Sequence, residues 1–207
     1  MQNTAPTLIA VTKTHPISAI ESAIENQIYN IGENKIQETE QKLKNYIKPS
    51  KMRLHLIGHL QSNKAKKACQ LFDVIQTVDS LKLAKRLNTV SKESNQIQNI
   101  FLQVNIGNDP NKKGFTTKEI INSAREITSL NNLNLNGIMT ILPFGIPENQ
   151  IRLLYQKTRE IRDEIKHSIN RFCTFLSMGM SNDFEIAIEE GATHIRIGTS
   201  LFGGRNY

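Results

Sequence analysis

Short apolar or β-branched runs recur along the chain at regular intervals. They are LIAVTK (8–13), IYNIGEN (28–34), RLHLIG (53–58), VIQTVD (74–79), NIFLQVNI (99–106), LNLNGIMTI (133–141), FCTFLSMG (172–179) and HIRIGTS (194–200). Each has the length and composition of a strand. The stretches between them carry helical periodicity instead. ISAIESAIENQ sets Ile17, Ile20, Ala23 and Ile24 on one face, and KEIINSAREITSL does the same with Ile120, Ile121, Ala124, Ile127 and Leu130. Ser80 after the fourth run, and Thr116 with Glu119 at capping-box spacing, mark helix starts.

Eight strands with a helix in nearly every gap predict an α/β fold of the (β/α)8 TIM-barrel type, because parallel strands need such crossovers. A doubly wound open sheet usually stops at about five to seven strands and opens with G-x-G-x-x-G after its first strand. This chain has no such motif. No linker, repeat or low-complexity tract divides residues 1–207, which predicts a single domain. At 207 residues the helices and loops of a barrel must be lean.

Composition narrows the function classes. Hydrophobic residues make up 38%, enough for a core, yet no apolar run is long enough to span a membrane. MQNTAPTLIAVTK lacks the basic and apolar regions of a secretory signal. Cys69 and Cys173 lie far apart without metal-type spacing and in apolar surroundings, as expected of buried free thiols in a reducing cytoplasm. The net charge of +7 raises a nucleic-acid partner. The lysines are spread along helical segments, however, and no RNP, zinc-finger or basic-zipper signature is present, so a solvated basic surface is expected. His55 and His59 straddle a strand and its turn with no third ligand, which predicts a structural pair and no metal. Asp79 can cap the following helix as readily as it can do chemistry. Glu185, Glu189 and Glu190 are expected on an exposed helix face with Ile186 and Ile188 packing elsewhere, and Tyr207 at a frayed end.

In such a barrel, chemistry sits at the C-terminal ends of the strands. Those ends carry Lys13, Asn34 after Gly32, the Gly58–His59 corner, Asp79, Asn105, Met139, Ser177 to Ser181, and Gly198 to Ser200. The glycine-hydroxyl loops SMGMS and GTS follow strands seven and eight, where barrels favour phosphate because exposed backbone N–H groups can wrap an anion. A lysine at the mouth facing a phosphate cradle is the layout for a Schiff base with pyridoxal phosphate, which joins an aldehyde to a phosphate. A surface lysine at a strand end is the plain alternative.

AVTKTHP, IGENKIQE, LHLIGHLQSNK, SMGMSNDFEIAI and RIGTSLFGGRNY run in order from residue 10 to residue 207. Together they resemble the signature blocks of the pyridoxal phosphate homeostasis protein family, whose members are similar to the barrel domain of alanine racemase standing alone. The resemblance implies pyridoxal 5′-phosphate held as an internal aldimine on Lys13, with Arg196 facing the pyridine nitrogen. It places Gly198 and Thr199 in the phosphate turn, Ser177 and Ser181 as hydroxyls near the same phosphate, and Asn34 and Met178 along the pocket.

The implied role is storage, buffering or delivery of vitamin B6 cofactor by a cytoplasmic monomer, with pyridoxal-phosphate-dependent apo-enzymes as partners. A weak amino-acid racemase is the runner-up. Racemisation needs an acid and a base on opposite faces of the cofactor. Lys13 serves one face, and the resemblance brings no second domain for the other. A guanidinium at the pyridine nitrogen also weakens the ring as an electron sink. Family members usually begin with a further N-terminal helix, so the barrel bottom is expected to be less covered here, with lower stability. His59 stands where the family often has proline, leaving that loop's conformation open.

Overall fold

The eight runs become eight strands in the computed structural model, which describes residues 5–204. They are β1 (Thr7–Val11), β2 (Asn30–Glu33), β3 (Arg53–Leu56), β4 (Val74–Val78), β5 (Gln98–Val104), β6 (Leu133–Thr140), β7 (Phe175–Ser177) and β8 (His194–Ile197). Each pairs in parallel with the next, and β8 closes on β1 through Ile9↔Arg196 and Ala10↔Ile197. The helices are α1 (Ile17–Glu25), α2 (Ile36–Leu43), α3 (Ala65–Leu71), α4 (Leu81–Glu93), α5 (Ile120–Thr128), α6 (Glu148–Ser168), α7 (Phe184–Glu189) and α8 (Thr199–Phe202). The barrel is the expected (β/α)8 architecture. Arg205, Asn206 and Tyr207, and with them the expectation for Tyr207, lie outside the described residues.

Alternation along each strand divides the side chains between two environments. Ala10, Ile31, Leu54, Leu56, Ile100, Leu102, Ile138 and Leu176 pack in one core with the apolar stripes of the helices. Ile20 and Ala23 of α1, and Ile120, Ala124 and Ile127 of α5, are buried as their spacing predicts. The opposite strand faces fill the lumen, where Ile9, Val11 and Ile57 close over Gly32.

The caps form where the sequence marks them. Ser80 Oγ accepts from Leu83 N at 3.3 Å. Thr116 and Glu119 bond reciprocally: Glu119 N donates to Thr116 Oγ1 at 3.3 Å and Thr116 N donates to Glu119 Oε2 at 3.2 Å.

Two readings change. The run 172–179 yields only the short β7, because Phe172 N bonds the Asn170 side chain in a turn and Phe172 is left 62% exposed. Glu190 is buried, not on an exposed face. Its carboxylate accepts from Arg152 at 3.0 Å, Gln156 at 3.2 Å and Arg159 at 3.2 Å, all on the long α6. A carboxylate can be buried where two guanidiniums neutralise it. Ile188 is correspondingly part-exposed.

A cavity of about 700 Å³ opens at the N-terminal ends of the strands, bounded by Asn30, Arg53, Gln98, Asn136, Phe175 and His194. At the other end, β2 and β3 leave the barrel in very close contact. A Cβ on Gly58 would stand 2.2 Å from the Asn34 carbonyl oxygen and 2.7 Å from its Cα. Backbone cannot yield as a side-chain tip can. Gly58→Ala is therefore expected to cost about 3 kcal/mol, the upper end for overpacking, and thermal denaturation should show a melting point lower by roughly 6–12 °C for a chain of this size.

Candidate functional site

The lumen beneath the C-terminal mouth is polar, and its polarity is organised around Arg196 on β8. Arg196 is buried and donates through Nη2 to the Thr140 carbonyl at 2.8 Å and through Nη1 to Ser177 Oγ at 2.7 Å. Ser177 Oγ donates in turn to Gln76 Oε1 at 2.7 Å. Gln76 Nε2 lies 3.0 Å from His55 Nδ1, and His55 Nε2 lies 3.0 Å from Asn30 Oδ1. An amide NH2 only donates and an amide oxygen only accepts, so His55 carries its proton on Nε2. Every member of the chain donates to the next, from Arg196 down to Asn30.

Electrostatics agree with this direction. Burial first, and His194 second, lower the His55 pKa to about 3. Burial and then Arg196 lower that of His194 to about 4. Both imidazoles are neutral at physiological pH, leaving Arg196 as the charge of this network. Burial pulls the Arg196 pKa below the ordinary guanidinium value, while Tyr155 and Asp183 pull it back up.

Four loops surround this charge at the mouth. After β7, Gly179 takes φ +90°, and a Cβ there would meet Ala187 Cβ at 2.6 Å. Asp183 Oδ1 accepts from Met180 N at 2.6 Å, folding Ser181 into the turn ahead of α7. After β8, the Gly198 carbonyl accepts from Leu201 and Phe202 N at 2.9 Å each, starting α8. Thr199 and Ser200 thus supply N-terminal amides without intrahelical acceptors. A Cβ on Gly198 would press to 3.2 Å from the Val11 carbonyl. After β2, Asn34 holds its Oδ1 buried, with no hydrogen-bond partner among the described residues.

Lys13 follows β1 in the fourth loop, partly buried, on a turn closed by His15 N to Thr12 O at 3.1 Å. Behind this turn lies an ion cluster absent from the sequence-based expectations. Glu33, fully buried, accepts from Thr12 Oγ1 at 2.7 Å and pairs with Lys42 Nζ at 2.5 Å. Burial raises the Glu33 pKa, and the Lys42 and Thr12 bonds oppose it. Lys42 also donates to the Thr12 carbonyl at 2.9 Å, and Glu38 accepts from Thr14 N at 2.6 Å.

The eight residues expected at the site are therefore distributed as follows. Lys13, Asn34, Gly198 and Thr199 stand on adjoining loops of β1, β2 and β8. Arg196 lies deeper, on β8 opposite Ile9 of β1. Ser177 is in the lumen with its hydroxyl engaged by Arg196 and Gln76, and Ser181 is on the turn before α7. Met178, next to Ser177 and of opposite facing, is fully buried in the apolar core. His55 and His59 have separate partners: His59 Nδ1 stands 3.1 Å from Asp79 Oδ2 at the mouth, while His55 belongs to the lumen chain. Asp79 accepts from Ser80 Oγ at 3.2 Å, and Ser80 itself is the cap. Cys69 and Cys173 are buried and free, and burial pushes the Cys173 thiol up to about 12.

Residues 1–206 match the family model described as alanine racemase, N-terminal domain. A curated relative from Synechocystis, named pyridoxal phosphate homeostasis protein, is 38% identical over 198 residues, covering 96% of this chain and 91% of the relative. The solved structure of PipY from Synechococcus elongatus PCC7942 without PLP superposes with a TM-score of 0.92 at 38% identity. It covers 96% of this chain and 93% of that one. PipY with PLP bound superposes with a TM-score of 0.87 at 36% identity over 96% and 92% of the two chains.

The neutral lumen histidines make stability depend on pH. Both have folded pKa values depressed from 6.5, so below pH 6.5 the unfolded chain takes up protons that the native barrel refuses. Stability is thus expected to fall as pH drops from 6.5 towards 4, by on the order of 1 kcal/mol per pH unit for each histidine. His194→Gln removes one of the two groups. Melting curves between pH 7 and pH 5 should show a shallower dependence for the variant than for the wild type.

Proposed function

This chain belongs to the alanine racemase N-terminal domain family, and we propose that it binds pyridoxal 5′-phosphate and serves in the homeostasis of that cofactor, by storing, buffering or delivering it. The carrying observation is Arg196. It is a buried guanidinium in a neutral lumen, oriented through Ser177 and Thr140 and set below four loops that bear an amine, a carboxamide and a glycine turn. The cofactor supplies an aldehyde that an amine can capture, a ring nitrogen that accepts a hydrogen bond, and a phosphate.

The residues present fit those three demands. The orphaned Asn34 Oδ1 and the tight approach of Gly198 to Val11 are features that a bound polar ring and an anion would use. Lys13 is the attachment point: its amine nitrogen bonds to the aldehyde carbon, and the carbonyl oxygen leaves as water. Gly198 and Thr199 offer backbone N–H groups at the start of α8 to the phosphate, and Ser181 offers a hydroxyl from the neighbouring loop. Arg196 donates to the ring nitrogen, and a guanidinium that only donates keeps that nitrogen unprotonated. Ser177 acts on Arg196 rather than on the phosphate. Asn34 borders the ring, and Met178 supports the pocket from the core behind Ser177.

A ring held with its nitrogen unprotonated is a poor electron sink, which favours keeping the cofactor over turning over amino acids. Pyridoxal-phosphate-dependent apo-enzymes are the fitting recipients and the cytoplasm the fitting place, with the chain acting as a monomer. No helix among the described residues is long and apolar enough to cross a membrane.

The protein loaded with pyridoxal phosphate should absorb in the visible, and Lys13→Ala should abolish that absorbance. Borohydride reduction and peptide mapping should place the adduct on Lys13; an adduct on Lys35 or Lys64 would overturn the assignment. The phosphate turn has its own signature. Wild type should prefer pyridoxal phosphate to pyridoxal strongly, and Gly198→Val should shrink that preference by about tenfold or more, the equivalent of about 1.4 kcal/mol. Equal affinity of the wild type for both ligands would remove the basis for a phosphate site.

A further inference from the structure

Thr14 has φ +66°, although it is β-branched and glycine would adopt that conformation freely. It occupies the third position of the Thr12–His15 turn, whose closing hydrogen bond and positive φ are those of a type II turn. Threonine at this position prefers the alternative turn, in which the Lys13–Thr14 peptide is flipped and φ is negative. Two contacts distinguish these turns, and one of them, the Thr14 Oγ1 bond to the Lys13 carbonyl at 2.6 Å, lies within the turn itself. The N–H of the Lys13–Thr14 peptide donates to Glu38 Oε1 at 2.6 Å, a charge-assisted bond that the flipped peptide would break. Lys42 Nζ lies 3.7 Å from the same Glu38 Oε1 while binding the Thr12 carbonyl and Glu33, so the carboxylate is itself held by a fixed cation.

We propose that Glu38 is a positioning residue for Lys13: it holds the strained Thr14 peptide in the orientation that aims the lysine amine into the mouth of the barrel. The backbone of Lys13 is then gripped on both sides, at the Thr12 carbonyl by Lys42 and at the Thr14 amide by Glu38. Releasing the second grip lets the peptide flip, which changes ψ at Lys13 and with it the side-chain rotamers open to the amine. The inference rests on Lys13 being the attachment point. A plain helix role for Glu38, as a first-turn acid of α2 and an (i, i+4) partner of Lys42, would stabilise the protein without touching the lysine.

A double-mutant cycle separates these roles, read by cofactor affinity, by the visible circular dichroism of the bound cofactor and by the melting point of the cofactor-free protein. Glu38→Ala should weaken pyridoxal phosphate binding about tenfold, the equivalent of about 1.4 kcal/mol and within the strain of one such residue. It should also diminish the visible dichroism. Glu38→Gln keeps an acceptor oxygen and should stay close to wild type. Thr14→Gly accepts positive φ without cost, so adding Glu38→Ala to it should change affinity by less than about twofold.

The same loss from Glu38→Ala in both backgrounds, or a drop in melting point with affinity and dichroism unchanged, would overturn the proposal. If Glu38→Ala folds only together with Thr14→Gly, the proposal stands; if neither folds, Glu38 is a general stabiliser and the proposal fails. Lys13→Ala, run alongside, reports on the attachment itself. Visible absorbance surviving in that variant sinks the attachment reading, whereas its loss with a silent Glu38→Ala sinks only the role of Glu38.

Discussion

A guanidinium buried inside the barrel constrains nearly everything around it. Removing such a charge from water is costly unless oriented acceptors replace the lost hydration. Here the acceptors are one carbonyl, of Thr140, and one hydroxyl, of Ser177. The hydroxyl can face the arginine with a lone pair because its O–H donates to Gln76 Oε1. Gln76 can accept with its oxygen only because its NH2 has an acceptor in His55, and His55 is an acceptor only while neutral. Burial keeps both His55 and His194 neutral, helped by Arg196 at His194 and by His194 at His55. A lumen of aliphatic side chains, as barrels commonly have, could not hold Arg196 at this depth.

The mouth is built on a different principle. Its loops are fixed from outside the barrel, by the ion cluster of Glu33, Lys42 and Glu38 behind β1 and by the near-contact of Gly58 with Asn34 behind β2. A lysine on a turn is exposed to loop motion. Anchoring both of its flanking peptides to a helix converts that turn into an extension of the scaffold. Strain at Thr14 is then tolerated because the cluster over-determines the backbone there.

Much of the fold was legible in the sequence because parallel strands buried on both faces appear as near-continuous apolar runs, and the helices between them keep strict periodicity. The misreadings have a common origin. Glu190 looked like a surface acid because its neutralising arginines lie on α6, more than thirty residues earlier. That Lys13, Asn34, Gly198 and Thr199 follow strand ends was legible, because position at a strand end is a local property. The chain of partners below Arg196 was not, since Ser177 of β7 and Gln76 of β4 meet across the barrel and are 101 residues apart in sequence. Glu33 and Lys42 gave no signal either: in sequence, a buried pair nine residues apart looks like two surface charges. What singles out the Lys13 turn is a threonine where a turn wants glycine, and that mismatch becomes visible only with the dihedral angles.

These two designs together bear on handling versus turnover of a cofactor. Catalysis on a pyridine ring gains from a protonated nitrogen, which calls for a carboxylate beneath it; under the proposed binding mode this barrel would present a cation there, in a lumen whose histidines are neutral. Burial and the donor-to-acceptor order of the chain lock that choice, because reversing the charge at residue 196 would reverse the demand on Ser177, Gln76 and His55 in turn. If Lys13 is the attachment point, its amine can capture an aldehyde and release it by hydrolysis, and a ring bound over Arg196 would lack the electronic sink that drives further bond breaking. On the proposed function the lumen favours reversible retention, and the outer cluster fixes the backbone on both sides of Lys13.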